Sequence, residues 1–191
     1  MPRLPYAADD SETADRMRAR RGGTLTPLDR LLLHSPPVAD GWNTLLGAIR
    51  TESTLPDDIR ELVILRVAVI NGAEYEWAAH EPLARRGGLG DEHLAVLRSA
   101  ALRDGGDSGV LSPAQRAAAA YADSMTRDVE VPDPVFDALG EHFDQRQILE
   151  LTATVGAYNL VSRFLVAMRL TPADRETTAP AAGAPAAEVR A

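Results

Sequence analysis

The sequence predicts an all-α fold of seven or eight helices, and three observations support this prediction. Apolar residues recur every three or four positions through most of the chain, which is the periodicity of amphipathic helices. Helix-start signals, in which Ser, Thr or Asp precedes a proline or a capping partner, separate these apolar runs. No pair of alternating polar and apolar segments indicates a β-hairpin.

One helical domain with a tail at each end accounts for the 191 residues. Residues 1–23 carry many charges and little apolar periodicity, so we expect a flexible N-terminal arm in which the basic cluster 16–21 is solvated. After Leu170 the composition shifts to Ala, Pro, Thr and Gly, which indicates a disordered tail over 171–191. The helical domain therefore spans 24–170.

The bulk composition argues against several classes of function. A net charge of -8 and a pI near 5.0 disfavour nucleic-acid and anionic-membrane partners, because both require clustered positive charge. The chain contains no cysteine, which excludes disulfides, thiolate nucleophiles and dithiol redox chemistry. We expect no membrane span and find no export signal, so a cytoplasmic location is predicted.

Three helices lead to the apolar centre of the chain. Thr26-Pro27 supplies an N-cap and a first helical residue, and this helix ends before Pro36-Pro37 because a residue preceding proline disfavours helical geometry. A second helix is predicted over 38–50. The third, over 57–70, is apolar on nearly every side, which is typical of a central buried helix. Its β-branched residues would also suit a strand, but its length and its start signal favour a helix.

Glycine turns and capping signals separate the remaining helices. Asn71-Gly72 and Gly87-Gly88 are expected to end two helices in left-handed geometry, which places a fourth helix over 73–86. Four further cap residues predict helix starts: Asp91, Ser112, Asp133 and Asp144. The last helix should run to about Met168 and be buried, because most of its residues are apolar.

The segment 60–86 concentrates the polar residues that could act on a small molecule. Glu76 and His80 are four residues apart and share a helix face, and Glu61 lies on the preceding helix. Antiparallel packing around Asn71-Gly72 would bring Glu61 to that face. A carboxylate near an imidazole provides two proton carriers whose pKa values their surroundings can separate. We therefore interpret these three side chains as candidate catalytic residues for decarboxylation, lactone opening, isomerisation or ring closure.

Other polar and aromatic side chains are candidates for substrate contacts. They are Tyr75 and Trp77 beside the acid–imidazole face, Asn159 and Arg163 on the last helix, and His34 and Trp42 around the proline turn. Arg163 could bind a carboxylate, and an internal ion pair is the alternative.

Each candidate also has a purely structural explanation. Glu61 lies in the first turn of its helix, where the helix dipole favours a carboxylate. His80 could be a core histidine bonded to Glu76, and aromatic side chains more often pack in cores than against ligands. A metal site built from Glu61, Glu76 and His80 lacks a second histidine, so we expect no metal.

The order of these residues resembles the carboxymuconolactone decarboxylase family, which includes the AhpD-like alkylhydroperoxidases. The resemblance covers roughly residues 28–170. Four stretches carry it: His34-Ser35-Pro36, Glu61-Leu62-Val63-Ile64-Leu65-Arg66-Val67-Ala68, Gly72-Ala73-Glu74-Tyr75-Glu76-Trp77-Ala78-Ala79-His80-Glu81, and Gly156-Ala157-Tyr158-Asn159 through Arg163-Phe164-Leu165.

The peroxidase members of this family carry the motif Cys-x-x-Cys-x-x-x-His, with a glutamate about one helix earlier. His80 and Glu61 match the histidine and the glutamate, whereas Ala73 and Glu76 stand at the two cysteine positions. The resemblance therefore implies an enzyme like the decarboxylase branch, which needs no cofactor, and not a dithiol peroxidase. It also implies an all-helical fold that assembles into homotrimers or homohexamers.

We therefore expect a cofactor-independent acid/base enzyme, a decarboxylase, lyase or isomerase, that acts on a small carboxylated or lactone-type molecule. One alternative is a cyclase or isomerase of secondary metabolism on the same fold. A second is a non-catalytic oligomer that binds a ligand and uses Glu61 and His80 in structural hydrogen bonds. A third is a metal-dependent, oxygenase-like protein. The expected partners are the substrate and further copies of this chain.

Overall fold

The computed structural model describes residues 1–104, 106 and 109–176, and this part of the chain is helical with no β-strand. The α-helices are α1 (Glu12–Arg21), α2 (Pro27–Leu32), α3 (Pro36–Thr51), α4 (Asp57–Asn71), α5 (Glu74–Arg86), α6 (Asp91–Arg98), α7 (Pro113–Arg127), α8 (Asp133–Asp137), α9 (Gln145–Met168) and α10 (Pro172–Glu176). Two 3₁₀ helices lie at Ala100–Asp104 and Ala138–Glu141. The all-α prediction is confirmed, with α1 and α10 as additional helices.

Helix α4 is the centre of the fold, because it packs against α5, α7 and α9. Its aliphatic side chains are buried around the whole circumference: Leu62, Val63, Ile64, Leu65 and Val67. Burial of each such side chain stabilises the fold by roughly 1.5–3 kcal/mol. A helix that is apolar on all sides therefore has neighbours on all sides, as its sequence predicted.

The predicted capping signals begin and end the helices. Capping boxes with both reciprocal hydrogen bonds are present at Thr26, Ser112 and Asp144. Gly72 ends α4 with φ = 66°, a left-handed conformation that a residue with a Cβ rarely adopts. This turn reverses the chain, so α5 returns alongside α4.

The N-terminal segment differs from the expected flexible arm. It contains α1, which packs against α3 and buries Ala14 and Met17 completely. Arg16 forms an ion pair of 2.7 Å with Asp40 of α3. The charged residues of α1 obscure its short apolar face, and the partner that covers this face is distant in the sequence.

The predicted C-terminal tail begins with α10, which contacts α5. The remainder of that prediction, residues 177–191, lies outside the described residues.

Helix α9 is long and apolar enough to cross a membrane by length and composition. Its 24 residues include a window with a mean hydropathy of 1.2, and no other helix in the described ranges passes the same test. Half of that window is buried inside the fold, where α9 packs against α4 and α7. The core helix of a globular domain has these properties too, so the finding is weak evidence for a span.

Candidate active site

The acid and the imidazole of segment 60–86 form a direct hydrogen bond. His80 Nδ1 lies 2.7 Å from Glu61 Oε2, and both side chains are buried. The pair forms because the turn at Gly72 places α5 against the first half of α4. Since a carboxylate only accepts, the neutral imidazole donates from Nδ1. Its lone pair is therefore on Nε2, which makes no hydrogen bond within the described residues.

The surroundings of His80 keep its ring neutral and fixed in orientation. Burial lowers the pKa of His80, and the hydrogen bond to Glu61 opposes this shift in part. Tyr158 of α9 packs edge-on against the imidazole, with ring centroids 5.0 Å apart. Burial also raises the pKa of Tyr158, so its hydroxyl stays protonated. A neutral, oriented imidazole can act as a general base.

Glu76 is a buried carboxyl group without a protein partner. Only 1% of the residue is exposed, and neither carboxyl oxygen has a hydrogen-bond partner among the described residues. Burial raises the pKa of Glu76 well above its ordinary value. Burial without a partner therefore favours the protonated, uncharged form of this group. It lies one helical turn before the neutral base His80.

Two adjoining pockets border these side chains. The inner cavity has a volume of about 50 Å³ and is lined by Glu76, His80 and Tyr158, whereas the outer pocket has about 620 Å³ and is bordered by Glu61. Both share Arg21, Thr26, Arg50, Tyr75 and Arg175 as lining residues. A buried water needs roughly 10–15 Å³, so the inner cavity has room for a few waters. The bulk of any substrate must therefore lie in the outer pocket.

Five of the predicted site residues lie at these pockets: Glu61, Glu76, His80, Tyr75 and Trp42. Trp42 lines the inner cavity and packs edge-on against Phe164 with ring centroids 5.5 Å apart. Tyr75 lies between the two pockets and is itself buried. These positions are compatible with contacts to a bound molecule.

Trp77 and His34 lie outside the lining of both pockets, which differs from their expected roles. Trp77 donates from Nε1 to Glu81 at 2.8 Å, and the guanidinium of Arg98 lies 3.8 Å from its ring centroid. His34 is exposed, and its Nε2 lies 2.8 Å from the carbonyl oxygen of Pro5. Both side chains therefore hold neighbouring segments of the fold.

Asn159 and Arg163 also lie away from the pockets. The amide of Asn159 donates to Thr126 Oγ1 at 3.0 Å and accepts from Asn71 at 3.0 Å, so it joins α9 to α7 and to the end of α4. Arg163 is exposed and donates to Asn159 Oδ1 at 2.6 Å. The partner of Arg163 is thus a neutral amide. The structure therefore shows neither the predicted position at the pocket nor the alternative of an internal ion pair.

Sequence reasoning missed the cationic residues of the outer pocket. Arg20 and Arg21 belong to the basic cluster that we expected to be solvated, yet both line this pocket. Docking of α1 on α3 brings them beside Arg50. No local motif marks them, whereas Tyr158 stood within one of the stretches that carried the family resemblance.

The protonatable side chains of the site do not form a metal-binding group. Across residues 1–104, 106 and 109–176, no three His, Asp or Glu side chains are arranged to hold a metal ion. Glu61 and His80 bond to each other, and Glu76 contacts neither of them through a hydrogen bond.

The sequence of the site region matches a known family. Residues 36–124 match the model of the carboxymuconolactone decarboxylase family. The uncharacterized protein YnjA of Escherichia coli (strain K12) is 33% identical over 121 residues. That alignment covers 62% of this chain and 63% of the relative, which is less than two thirds of its length.

Solved structures show the same fold at low identity. An uncharacterized peroxidase-related protein from Ralstonia eutropha JMP134, with an alkylhydroperoxidase AhpD core, matches with a TM-score of 0.72 and 21% identity over 90% of this chain and 92% of that one. A cysteine-to-alanine variant of the debrominase Bmp8, in complex with 2,3,4-tribromopyrrole, matches with a TM-score of 0.72 and 16% identity over 93% of this chain and 97% of that one. The chain therefore has the AhpD-like fold, and its residues 36–124 are similar to the carboxymuconolactone decarboxylase family.

Proposed function

We propose that the chain is an acid/base enzyme that moves protons on a small carboxylated or lactone-type molecule and uses only its own side chains to do so. The observation that supports this proposal most directly is a neutral base and a protonated acid at the same cavity, His80 and Glu76. Two proton carriers with separated pKa values are the requirement for such chemistry. The family whose model residues 36–124 match is named for a decarboxylase.

Each side chain has a distinct role in this proposal. His80 takes a proton from the substrate at Nε2, and Glu61 stabilises the imidazolium through the hydrogen bond that it accepts from Nδ1. In a decarboxylation, the bond to the substrate carboxylate breaks, carbon dioxide leaves and the electron pair stays on the substrate carbon. The Glu76 carboxyl then donates its proton to that carbon and regains one from water. In an isomerisation, His80 removes a proton from one carbon and Glu76 delivers one to another. Proton exchange with water then returns both side chains to their starting protonation states.

Redox chemistry of the peroxidase type is not part of the proposal. By the family resemblance, Ala73 and Glu76 occupy the two positions at which peroxidase members carry cysteine, and this chain has no cysteine. A protonated carboxyl in place of a thiol changes the chemistry of the position from electron transfer to proton transfer.

A purely structural role for Glu61, Glu76 and His80 explains fewer of their contacts than a catalytic role does. A structural hydrogen bond would explain Glu61 and His80, which satisfy each other. It leaves unexplained why Glu76 is buried with two unpartnered oxygens beside a cavity in the described part of the chain, since a buried polar group without a partner costs about 1–3 kcal/mol.

Proton exchange at carbon tests the proposal. The purified protein is incubated in D₂O with carboxymuconolactone and with a panel of small β-keto and lactone acids, and NMR follows carbon dioxide release and deuterium incorporation. We expect turnover of at least one compound, lowered about a hundredfold or more in His80→Gln and in Glu61→Gln. His142→Gln is the matched control, because His142 is exposed and outside both pockets. An inert panel, or equal rates in wild type and His80→Gln, rejects the proposal.

We also propose that the chain assembles into a homo-oligomer through α9. Leu149 and Leu160 are eleven residues apart, or three helical turns, and are 70% and 50% exposed. Ala153, between them on the same face, is exposed as well. Burial of this apolar face between copies would remove it from water. Light scattering should show an oligomer for wild type and a smaller species for Leu160→Lys, and an unchanged mass in this variant contradicts the assignment.

A further inference from the structure

The outer pocket carries an excess of positive charge in an acidic chain. Six arginines line it: Arg20, Arg21, Arg50, Arg60, Arg86 and Arg175. Asp57 and Glu61 are the acids among its lining residues, although the chain as a whole has a net charge of -8. The positive charge is therefore concentrated at the pocket that adjoins the acid/base pair.

Internal ion pairs neutralise only part of this charge. Arg21 pairs with Asp29 at 2.5 Å, and Arg60 pairs with Asp57 at 2.7 Å. Arg50, which is partly buried, forms no ion pair with any residue of the described ranges. Its charge is thus uncompensated at the wall that the two pockets share.

Arg20 has a donor that nothing in the described part of the fold satisfies. Its Nε donates to the side-chain oxygen of Asn43, a neutral group, and its Nη2 is buried without a partner among the described residues. Burial, followed by the neighbouring charges of Arg21 and Arg50, lowers the pKa of Arg20. The Arg20 guanidinium therefore lies near two other positive charges and has one buried N–H group without an acceptor. A bound anion would supply that acceptor.

Helix dipoles explain only part of this arrangement. Arg20 and Arg21 lie in the last turn of α1 and Arg50 in the last turn of α3, where a cation is favoured. The helix dipole does not provide a hydrogen-bond acceptor for Arg20 Nη2. It also does not explain why the C-terminal ends of α1 and α3 lie at the same pocket of about 620 Å³.

We infer that the outer pocket binds a compact dianionic group of the substrate, a phosphate monoester or a dicarboxylate, between Arg20 and Arg50. Arg50 has no ion-pair partner among the described residues, and Arg20 bonds only to a neutral amide and keeps a free donor. Two such guanidiniums suit a group with two negative charges, and planar guanidinium forks match phosphate and carboxylate oxygens. Arg86 adds positive charge at the exposed rim of the pocket. This inference rests on the proposed function: the dianion anchors the substrate, and the reacting carbon lies toward His80.

Binding of simple dianions tests the site without any turnover. Inorganic phosphate and malonate are titrated separately into the wild-type protein by calorimetry, at constant ionic strength set with sodium chloride. We expect a Kd of about 1 mM or tighter for at least one of them. Tighter binding of phosphate indicates a phosphorylated substrate and tighter binding of malonate a dicarboxylate, and either result supports the inference.

Substitution of the arginines tests the location. Arg50→Gln and Arg20→Gln should each weaken binding about tenfold or more, and Arg50→Lys should weaken it less because it keeps the charge but loses the planar fork. Arg85→Gln is the matched control: it removes the same charge next to Arg86, but Arg85 pairs with Glu81 and Asp91 and lies outside the pocket. Circular dichroism establishes that each variant is folded.

Three results would overturn the inference. They are the absence of binding by wild type, equal weakening in Arg85→Gln and Arg50→Gln, and full affinity in Arg50→Gln. The His80→Gln variant separates this inference from the proposed function, because it should bind the dianion with wild-type affinity and fail to turn over substrate. Dianion binding with no turnover of any compound rejects the proposed function alone, and turnover without dianion binding rejects this inference alone.

Discussion

Two buried polar clusters on α4 differ in how completely their hydrogen bonds are satisfied. In one, Arg66 donates to both carboxylate oxygens of Asp123, at 2.5 and 2.7 Å, and to the carbonyl oxygens of Leu97 and Ser99, at 2.7 and 3.1 Å. In the other, His80 and Glu61 share one hydrogen bond, which uses His80 Nδ1 but not Nε2. His80 Nε2 and the carboxyl of Glu76 are left without protein partners in the described chain.

The difference separates a structural role from a functional one. The Arg66–Asp123 pair holds α4, α7 and the end of α6 together, and the two pockets lie elsewhere. The groups around His80 border both pockets. The Glu76 carboxyl among them makes no hydrogen bond to the described protein. Burial of a charge or a polar group is therefore no sign of function by itself, whereas burial with unsatisfied groups beside a cavity is one.

The largest expected effect is on turnover. His80→Gln removes the base and should lower the rate of the reacting panel compound about 100- to 10,000-fold, because general acid–base catalysis contributes effects of that size. The midpoint of thermal unfolding should change little. Steady-state rates and calorimetry of the same preparation give both values, and a variant that keeps more than a tenth of the rate would place the catalytic function elsewhere.

The opposite pattern is expected for the structural pair. Asp123→Ala leaves the guanidinium of Arg66 buried without its partner and should cost about 3–5 kcal/mol of unfolding free energy. Urea denaturation measures the loss, with Asp137→Ala, an exposed acid on α8, as the control. The rate per folded molecule should stay at the wild-type value. A loss below about 1 kcal/mol would mean that the pair is not tightly coupled to the fold.

The pH dependence of stability tests the protonation state of Glu76. Burial raises the pKa of Glu76 in the folded state above its value in the unfolded chain. Between those two pKa values the folded state binds more protons, so the free energy of unfolding of wild type falls as pH rises. Glu76→Gln cannot ionise and lacks this fall. The melting temperature of the variant relative to wild type should therefore be higher at pH 8 than at pH 5, and a pH-independent difference contradicts the assignment.

The smallest expected effect concerns the turn that positions both helices of the site. Gly72 has φ = 66°, and a Cβ at this position would contact nothing within 4 Å, so the cost of Gly72→Ala is backbone strain alone. That cost is about 1 kcal/mol, measured by urea denaturation. Gly41→Ala in α3, where space is also open and φ is not positive, is the control. A loss above about 3 kcal/mol would show that the strain spreads into α4 and α5.

The order and type of the helices could be predicted because their signals are local. A capping box joins residues three positions apart, and the apolar pattern of α4 repeats within two turns. The Glu61–His80 contact followed from two such signals, since adjacent helices joined by a tight glycine turn pack side by side. The docking of α1 was missed because the face of α3 that covers it begins fifteen residues after α1 ends.

The polar residues of α9 show why the sequence predicted more substrate-contacting residues than line the pockets. Asn159 and Arg163 stand in an apolar helix, a pattern that fits both a cavity and a bond between helices. Their partners decide between the two, and Asn159 finds them in Thr126 and Asn71. Those partners lie on other helices, so no pattern within α9 could reveal them.

The sequence by itself determined the helical architecture, the lack of thiol chemistry and the supply of acids and imidazole in segment 60–86. Only the tertiary structure decided which polar groups remain unsatisfied, that burial favours the neutral form of Glu76, and that arginines from both ends of the chain meet at one pocket. The physical reason is the range of the interactions. Caps and periodicity act over a few residues, whereas burial and pocket charge are sums over side chains that only the packed helices bring together.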